Sequence, residues 1–424
     1  MSQEINFNHI CKIEGHAHLT LKIRENKVEK CELKASEGAR FFEALVLGKN
    51  LEDVQEIVSR ICGICSSAHT VCSIQALEEA IKLKPTKMQE FIREMLMIGE
   101  RIRSHATHLY LLSLPDYYGV SSALELGQKD RDKVNDALEI ISVGNKIVEI
   151  FGGREMHPFL KVREEYPDFD FSELLDLLKR VKKKVLRTVD LFSRLEYREF
   201  NRECDYLSIR GKDYPLTLGR VTSHTGYFVD DDYKKHLKEN VKEYATSKFV
   251  LKKGVPYMLG AMARINNCSD LLSRESQKLL KKYKKSMGIS HFFRNPYHNL
   301  FCQALEVLDC FNKGIDLVEN APEKSEPEDF KVRSGHGVSA VEAPRGTLFH
   351  EYKIDKEGVV TYCNIITPTA QNLNMMEADI SRLVDLMLMK GKKQEDIVQA
   401  VEEIIRAYDP CFSCSTHFLK VKWE

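Results

Sequence analysis

The sequence has no surplus of charge: 63 Lys and Arg stand against 63 Asp and Glu. A chain that grips nucleic acid or an anionic membrane surface carries a basic excess, so both partners are disfavoured. It has no apolar run of bilayer length. The greasiest stretch, LYLLSLP at Leu109–Pro115, is far shorter than the ~20 residues a spanning helix needs, so no direct membrane span is expected. The opening MSQEINFNHI lacks a basic segment followed by an apolar one, so no secretory signal is visible and a cytoplasmic chain is expected. No repeat, Pro/Ser-rich linker or low-complexity segment breaks the chain. Its 424 residues therefore read as one domain over 1–424, large for a single core.

What is present is a globular composition, 43% hydrophobic and 30% charged. His18–Ala35 alternates and reads as two strands around a polar turn at Glu25–Asn26. Met88, Phe91, Ile92, Met95, Ile98, Ile102, His105 and Leu109 recur at spacings of three and four, which predicts a long helix over 88–114 ended by Pro115. Similar patterns cover 172–195, 271–286, 300–318, 374–389 and 395–407, and Gly346–Ile366 reads as a second hairpin turning at Lys356–Gly358. The fold class is mainly α with small β elements near both termini. The lysine runs at Lys179–Val185 and Lys281–Lys285 sit on these helices and read as solvated faces.

Twelve cysteines are many for such a chain. Eight are scattered singly and read as small buried apolar side chains in a reducing compartment. The other four form two C-x-x-C pairs, RICGIC with Cys62 and Cys65, and DPCFSC with Cys411 and Cys414. Thiolates select soft metals, and a pair three apart can present both sulfurs to one ion. A closed structural zinc site, an iron–sulfur cluster on the same four sulfurs, and two unrelated pairs are all readings of this pattern. Zinc ribbons hold their pairs about fifteen to twenty residues apart, whereas 346 positions separate Cys65 from Cys411 here. Arg60, His69, Asp409, Pro410 and His417 flank the pairs, as a reactive metal with supporting donors requires.

RICGICSSAH and DPCFSCSTH resemble the N- and C-terminal signatures of the large subunit of nickel–iron hydrogenases. Six further segments fall in that family's order: KIEGHA (Lys12–Ala17), FFEALVLGK (Phe41–Lys49), SHATHLYLLSLPD (Ser104–Asp116), GGREMHP (Gly152–Pro158), EAPRGTL (Glu342–Leu348) and IITPTAQN (Ile365–Asn372). The resemblance implies the large-subunit fold built round a bundle of long helices. It also implies reversible heterolytic cleavage of H2 at a Ni-Fe(CN)2CO centre. By the same resemblance Cys62 and Cys411 would be terminal nickel ligands, and Cys65 and Cys414 would bridge to the iron. Glu14 would exchange a proton with Cys411, and His69 would stand close to a bridging sulfur. Arg345 would lie over the metals, oriented by Asp116 and Asp409. Thr369, after Pro368, would offer its hydroxyl to a cyanide. Glu43, the carbonyl of Ile365 and His417 would hold a second, hard ion, magnesium or iron(II). Arg154 and His157 would face the partner subunit.

Two departures from the family pattern stand out. Members are commonly precursors cleaved after the last motif histidine, and here Phe418–Glu424 follows His417 as a cleavable tail or as part of a member that needs no cleavage. EGARFFEAL replaces an Arg-Gly-Phe-Glu run, which keeps Glu43 and shifts Arg40 by one. Once the quartet is used, no cluster-binding cysteine run remains to carry electrons. The resemblance therefore implies a small subunit that carries iron–sulfur clusters, together with flavin-bearing, diaphorase-type subunits, and NAD(P), F420 or sulfur as acceptor. The competing readings are a non-catalytic subunit like the complex I relative, which lacks the quartet, and a structural zinc protein using the same four cysteines.

Overall fold

The computed structural model describes residues 2–36, 38, 40–162, 169–223, 225–323 and 331–416. The first hairpin forms as expected. Strands Ala17–Arg24 and Lys27–Ala35 pair antiparallel, and Glu25 and Asn26 make the turn at φ 51° and 59°. Two left-handed residues in a row give the turn whose twist matches a hairpin, and Asn tolerates that conformation. A third strand, Ser2–Phe7, adds to the outer edge. Ala17, Leu19, Leu21 and Ile23 alternate inward. The hairpin's outer strand is tied to the helix Pro368–Met389, where Val28 N–H donates to Asp385 at 2.8 Å and Leu33 N–H to Glu377 at 3.0 Å.

The helical expectations place most of the bundle. Lys87–Thr107, Ser172–Ser193, Arg274–Ser286, Asn299–Glu319, Pro368–Met389 and Gln394–Ala407 are helices. Thr86 and Gln89 close a capping box at the head of the first. Pro115 does not end that helix. The chain widens into a π-helical stretch, His108–Ser113, and resumes as Leu114–Tyr117 with the proline in its first turn. A proline there needs no N–H partner, and π turns concentrate at functional sites.

Two long helices lie outside the expected set. Arg131–Gly152 runs against Lys87–Thr107, and a Cβ placed on Gly99 would come within 2.9 Å of the Gly144 carbonyl. The two glycines thus let the backbones touch. Ser66–Ile81 is buried on nearly every face, beneath a sheet of Gly335–Ala343, Gly346–Ile354 and Val360–Ile366. A helix wrapped all round has no polar stripe to reveal it. Short strands between Asp205 and Met258 also place β structure in the middle of the chain, where the expectation of β near the termini had none. Among the described residues no helix is long and apolar enough to cross a membrane.

Candidate metal centre

The two C-x-x-C pairs meet. The sulfurs of Cys62, Cys65, Cys411 and Cys414 all lie within 4.8 Å of one another, and all four residues are buried. Cys62 Sγ is 3.4 Å from Cys411 Sγ, and Cys65 Sγ is 3.3 Å from Cys414 Sγ. Cys411 and Cys414 are paired sulfur to sulfur, so ligating a metal requires that pair as two thiolates.

The N-terminal pair is presented by a turn. Cys65 sits immediately before the helix Ser66–Ile81, and its N–H points at Cys62 Sγ, 3.4 Å away. The first helical N–H groups need acceptors. Glu100 supplies them, taking Ser67 N–H at 2.6 Å and Ala68 N–H at 3.1 Å. Burial pushes the Glu100 carboxyl up to about 7. Arg103 holds the Ile64 carbonyl at 3.0 Å.

Cys414 lies on a single turn, Phe412–Ser415, and Cys411 stands immediately before it, after Asp409 at φ 51°. Other segments hold it. Cys411 N–H donates to Thr369 Oγ1 at 2.9 Å, and Phe412 N–H to the Glu14 carbonyl at 3.0 Å. Ser415 Oγ meets Ser247 Oγ at 2.6 Å. Arg40 binds the Ile61 carbonyl at 2.5 Å and also the Ser413 carbonyl, so one guanidinium fastens the two motifs together.

Arg345 completes the centre. Its Nε donates to the Asp409 carbonyl at 2.8 Å and to Asp409 Oδ1 at 3.1 Å, and Nη2 lies 3.0 Å from that Oδ1. Its Nη1 is buried and has no hydrogen-bond partner among the described residues. A small cavity of about 10 Å³ lies between Cys65, Cys411, Cys414, Arg345, Thr369 and His69. The turn bearing Arg345 is gripped from behind by Arg264, which reaches the carbonyls of Ala343 at 3.0 Å and Pro344 at 2.8 Å. Arg264 is itself neutralised by Glu306 and Glu342, all three fully buried. His105 Nε2 faces Glu306 at 2.8 Å, and burial lowers its pKa to about 4. No local pattern announces these partners, because each pair is far apart in sequence.

Not every expected partnership forms. Asp116 was expected to orient Arg345; its carboxylate is instead taken by Lys12 and by Arg406 Nε at 2.5 Å. Glu14 was expected against Cys411. Its carboxylate receives the Ser413 hydroxyl and the Ser413 N–H at 3.3 Å, and Ser413 Oγ stands 3.8 Å from Cys411 Sγ. The serine lies between carboxylate and thiol. Glu43 Oε1 accepts the Ile365 N–H at 2.8 Å and the ammonium of Lys248 at 2.6 Å. Lys248 also contacts Glu239 at 2.8 Å and the Ile365 carbonyl at 3.4 Å, a cation that sequence reading did not assign to this place. His417 lies outside the described residues. His157 binds the end of the helix that precedes the CxxC turn, through the Ser59 carbonyl at 2.8 Å, while its neighbours Met156 and Phe159 are about half exposed.

The donor set fits a soft, electron-rich metal centre. The Cys62 sulfur beside it, and burial, push the Cys65 thiol well up, so four thiolates can share this space only around a compensating cation. The unpartnered Arg345 nitrogen offers a donor to a ligand in the cavity.

Comparison with known proteins agrees with this geometry. A family described as Nickel-dependent hydrogenase matches residues 40–149 and 296–417. The alpha chain of sulfhydrogenase 1 from Pyrococcus furiosus is 34% identical over 98% of this chain and 98% of its own length. An F420-non-reducing hydrogenase chain from Methanothermobacter thermautotrophicus is 28% identical over 96% of this chain and 93% of its own. The fold resembles that of an NAD+-reducing [NiFe]-hydrogenase in the H2-reduced state, with TM-score 0.86, 22% identity, and 98% and 99% of the two chains covered. The chain belongs to the nickel-dependent hydrogenase family, in which it is a large subunit.

Proposed function

We propose that this subunit splits H2 heterolytically and reversibly at a nickel–iron centre. The observation that carries the reading is the buried quartet of sulfurs, drawn from both ends of the chain into one 4.8 Å cluster. Cys62 and Cys411 would hold the nickel, and Cys65 and Cys414 would hold it together with an iron that bears carbon monoxide and cyanide. When bound, that centre supplies the polarising metals that make H2 acidic.

The residues around it handle proton and charge. Glu14 holds the proton leaving the Cys411 side, passed through the Ser413 hydroxyl, which contacts both. Arg345, kept charged by Asp409, offers Nη1 to a diatomic ligand, and Thr369 braces the Cys411 backbone. Asp116 acts at one remove, by holding Arg406 at the end of the helix that leads into the motif. A second hard ion, magnesium or iron(II), would be held by Glu43, the Ile365 carbonyl and His417, with Lys248 neutralising part of the local charge.

The chain works as one cytoplasmic domain that passes electrons to an iron–sulfur small subunit. The half-exposed Met156 and Phe159 beside Arg154 and the CxxC loop support that face as the contact. The names of the relatives, a sulfhydrogenase and an NAD+-reducing enzyme, support sulfur or NAD(P) over F420 as acceptor, through flavin-bearing subunits.

Infrared absorption and elemental analysis of the purified complex test the reading together. Carbon monoxide and cyanide bands with nickel present are expected. Zinc in place of nickel, in a protein silent in that window, would sink it.

A further inference from the structure

One chain of buried polar rings leads away from the sulfurs and has no part in the proton route through Glu14. His69 lies one helical turn beyond Cys65 and lines the cavity between the sulfurs. Its Nδ1 is 3.0 Å from His350 Nε2, and His350 Nδ1 is 2.7 Å from Tyr352 Oη. The three side chains are 1%, 0% and 0% exposed, so water cannot take over any of these bonds. His350 and Tyr352 are two apart on the strand Gly346–Ile354, hence on one face, the face turned to the helix that carries His69.

A neutral imidazole has one donor and one acceptor. The chain of rings therefore has two self-consistent directions. In one, every proton points outward and His69 presents an Nε2 lone pair. In the other, Tyr352 donates to His350 Nδ1, His350 Nε2–H donates to His69 Nδ1, and His69 is left with its proton on Nε2. Thiolates decide between them. A lone pair facing sulfur anions is repelled, whereas an N–H is attracted and spreads the charge. Burial holds the Tyr352 hydroxyl far above its usual range, so it keeps the proton it must donate.

We infer that His350 and Tyr352 are positioning residues, which fix His69 in the tautomer that aims an N–H at the bridging sulfurs of Cys65 and Cys414. The inference rests on the nickel–iron reading and goes past it: a phenol two residues removed from the ligand shell sets how strongly the bridging thiolates donate to iron. Weaker hydrogen bonding to those sulfurs leaves more electron density on the iron and weakens its bound carbon monoxide.

The test is the infrared spectrum of the assembled complex. In Tyr352→Phe the carbon monoxide band moves to lower wavenumber with nickel and iron content unchanged. In Tyr110→Phe, which removes an equally buried hydroxyl bonded to Thr188, the bands stay where they are. Replacing Tyr352 by 3-fluorotyrosine acidifies the phenol, strengthens the donor and moves the band the opposite way. It keeps the ring in place and decides the matter alone if Tyr352→Phe does not take up metal. Bands unmoved by either change at 352, or moved equally by Tyr110→Phe, would overturn the relay. A wild-type spectrum with no such bands would overturn the nickel–iron reading, and this inference with it.

Discussion

The two cysteine pairs share a motif and a destination but are built differently. Cys62 and Cys65 stand at the head of a sixteen-residue helix buried in the core, with Glu100 capping its first turn. Cys411 and Cys414 stand at one turn near the chain's end and are held by Thr369, Glu14, Ser247 and Arg40, each from another segment. The first pair is part of the scaffold. The second is a strap fastened to it. Substitutions behind the first pair should therefore move stability, and substitutions behind the second should move metal occupancy.

The largest expected effects ignore this distinction. Cys62→Ala and Cys411→Ala should each abolish hydrogen uptake and nickel retention, measured by gas consumption and elemental analysis. A variant of either kind that kept nickel would remove its cysteine from the ligand set. Next come the proton carriers. Glu14→Gln keeps the shape but cannot shuttle, and should lower hydrogen/deuterium exchange by about 10²–10⁴-fold with the metals still bound. Ser413→Ala should slow the same exchange, because its hydroxyl stands between Glu14 and Cys411; an unaffected rate would send the proton another way.

The comparison itself is sharpened by Glu100→Ala. It strips the acceptors from a buried helix end and should cost about 1–3 kcal/mol in unfolding free energy, read from denaturant titration. Thr369→Val, on the strap side, loses one hydrogen bond worth about 0.5–1.5 kcal/mol. Its larger consequence should be a lower nickel content than Glu100→Ala shows. If the two variants lost metal and stability in the same proportion, scaffold and strap would not be separate devices.

The parts legible in the sequence are those whose information is local. The hairpin at Glu25–Asn26 and the helices with one apolar stripe were readable from spacing, and the quartet from its two motifs. What escaped depends on partners far along the chain. Arg264 serves Arg345 only because Glu306 and Glu342 converge on it. Glu100 serves Cys65 from the next helix. Asp116 looked like a partner of Arg345 by motif, but its carboxylate is taken by Arg406 and Lys12, which lie far from it in sequence. Ser66–Ile81, buried on nearly every face, carries no clear stripe.

The strap also sets a clock. Cys62 and Cys65 can fold with the helices that follow, but Cys411 lies 346 positions beyond Cys65. Contacts between such distant segments form late, after the loop between them has been closed. All four sulfurs can grip one ion only once that long loop has closed, so the order of events is written into the distance between the two pairs.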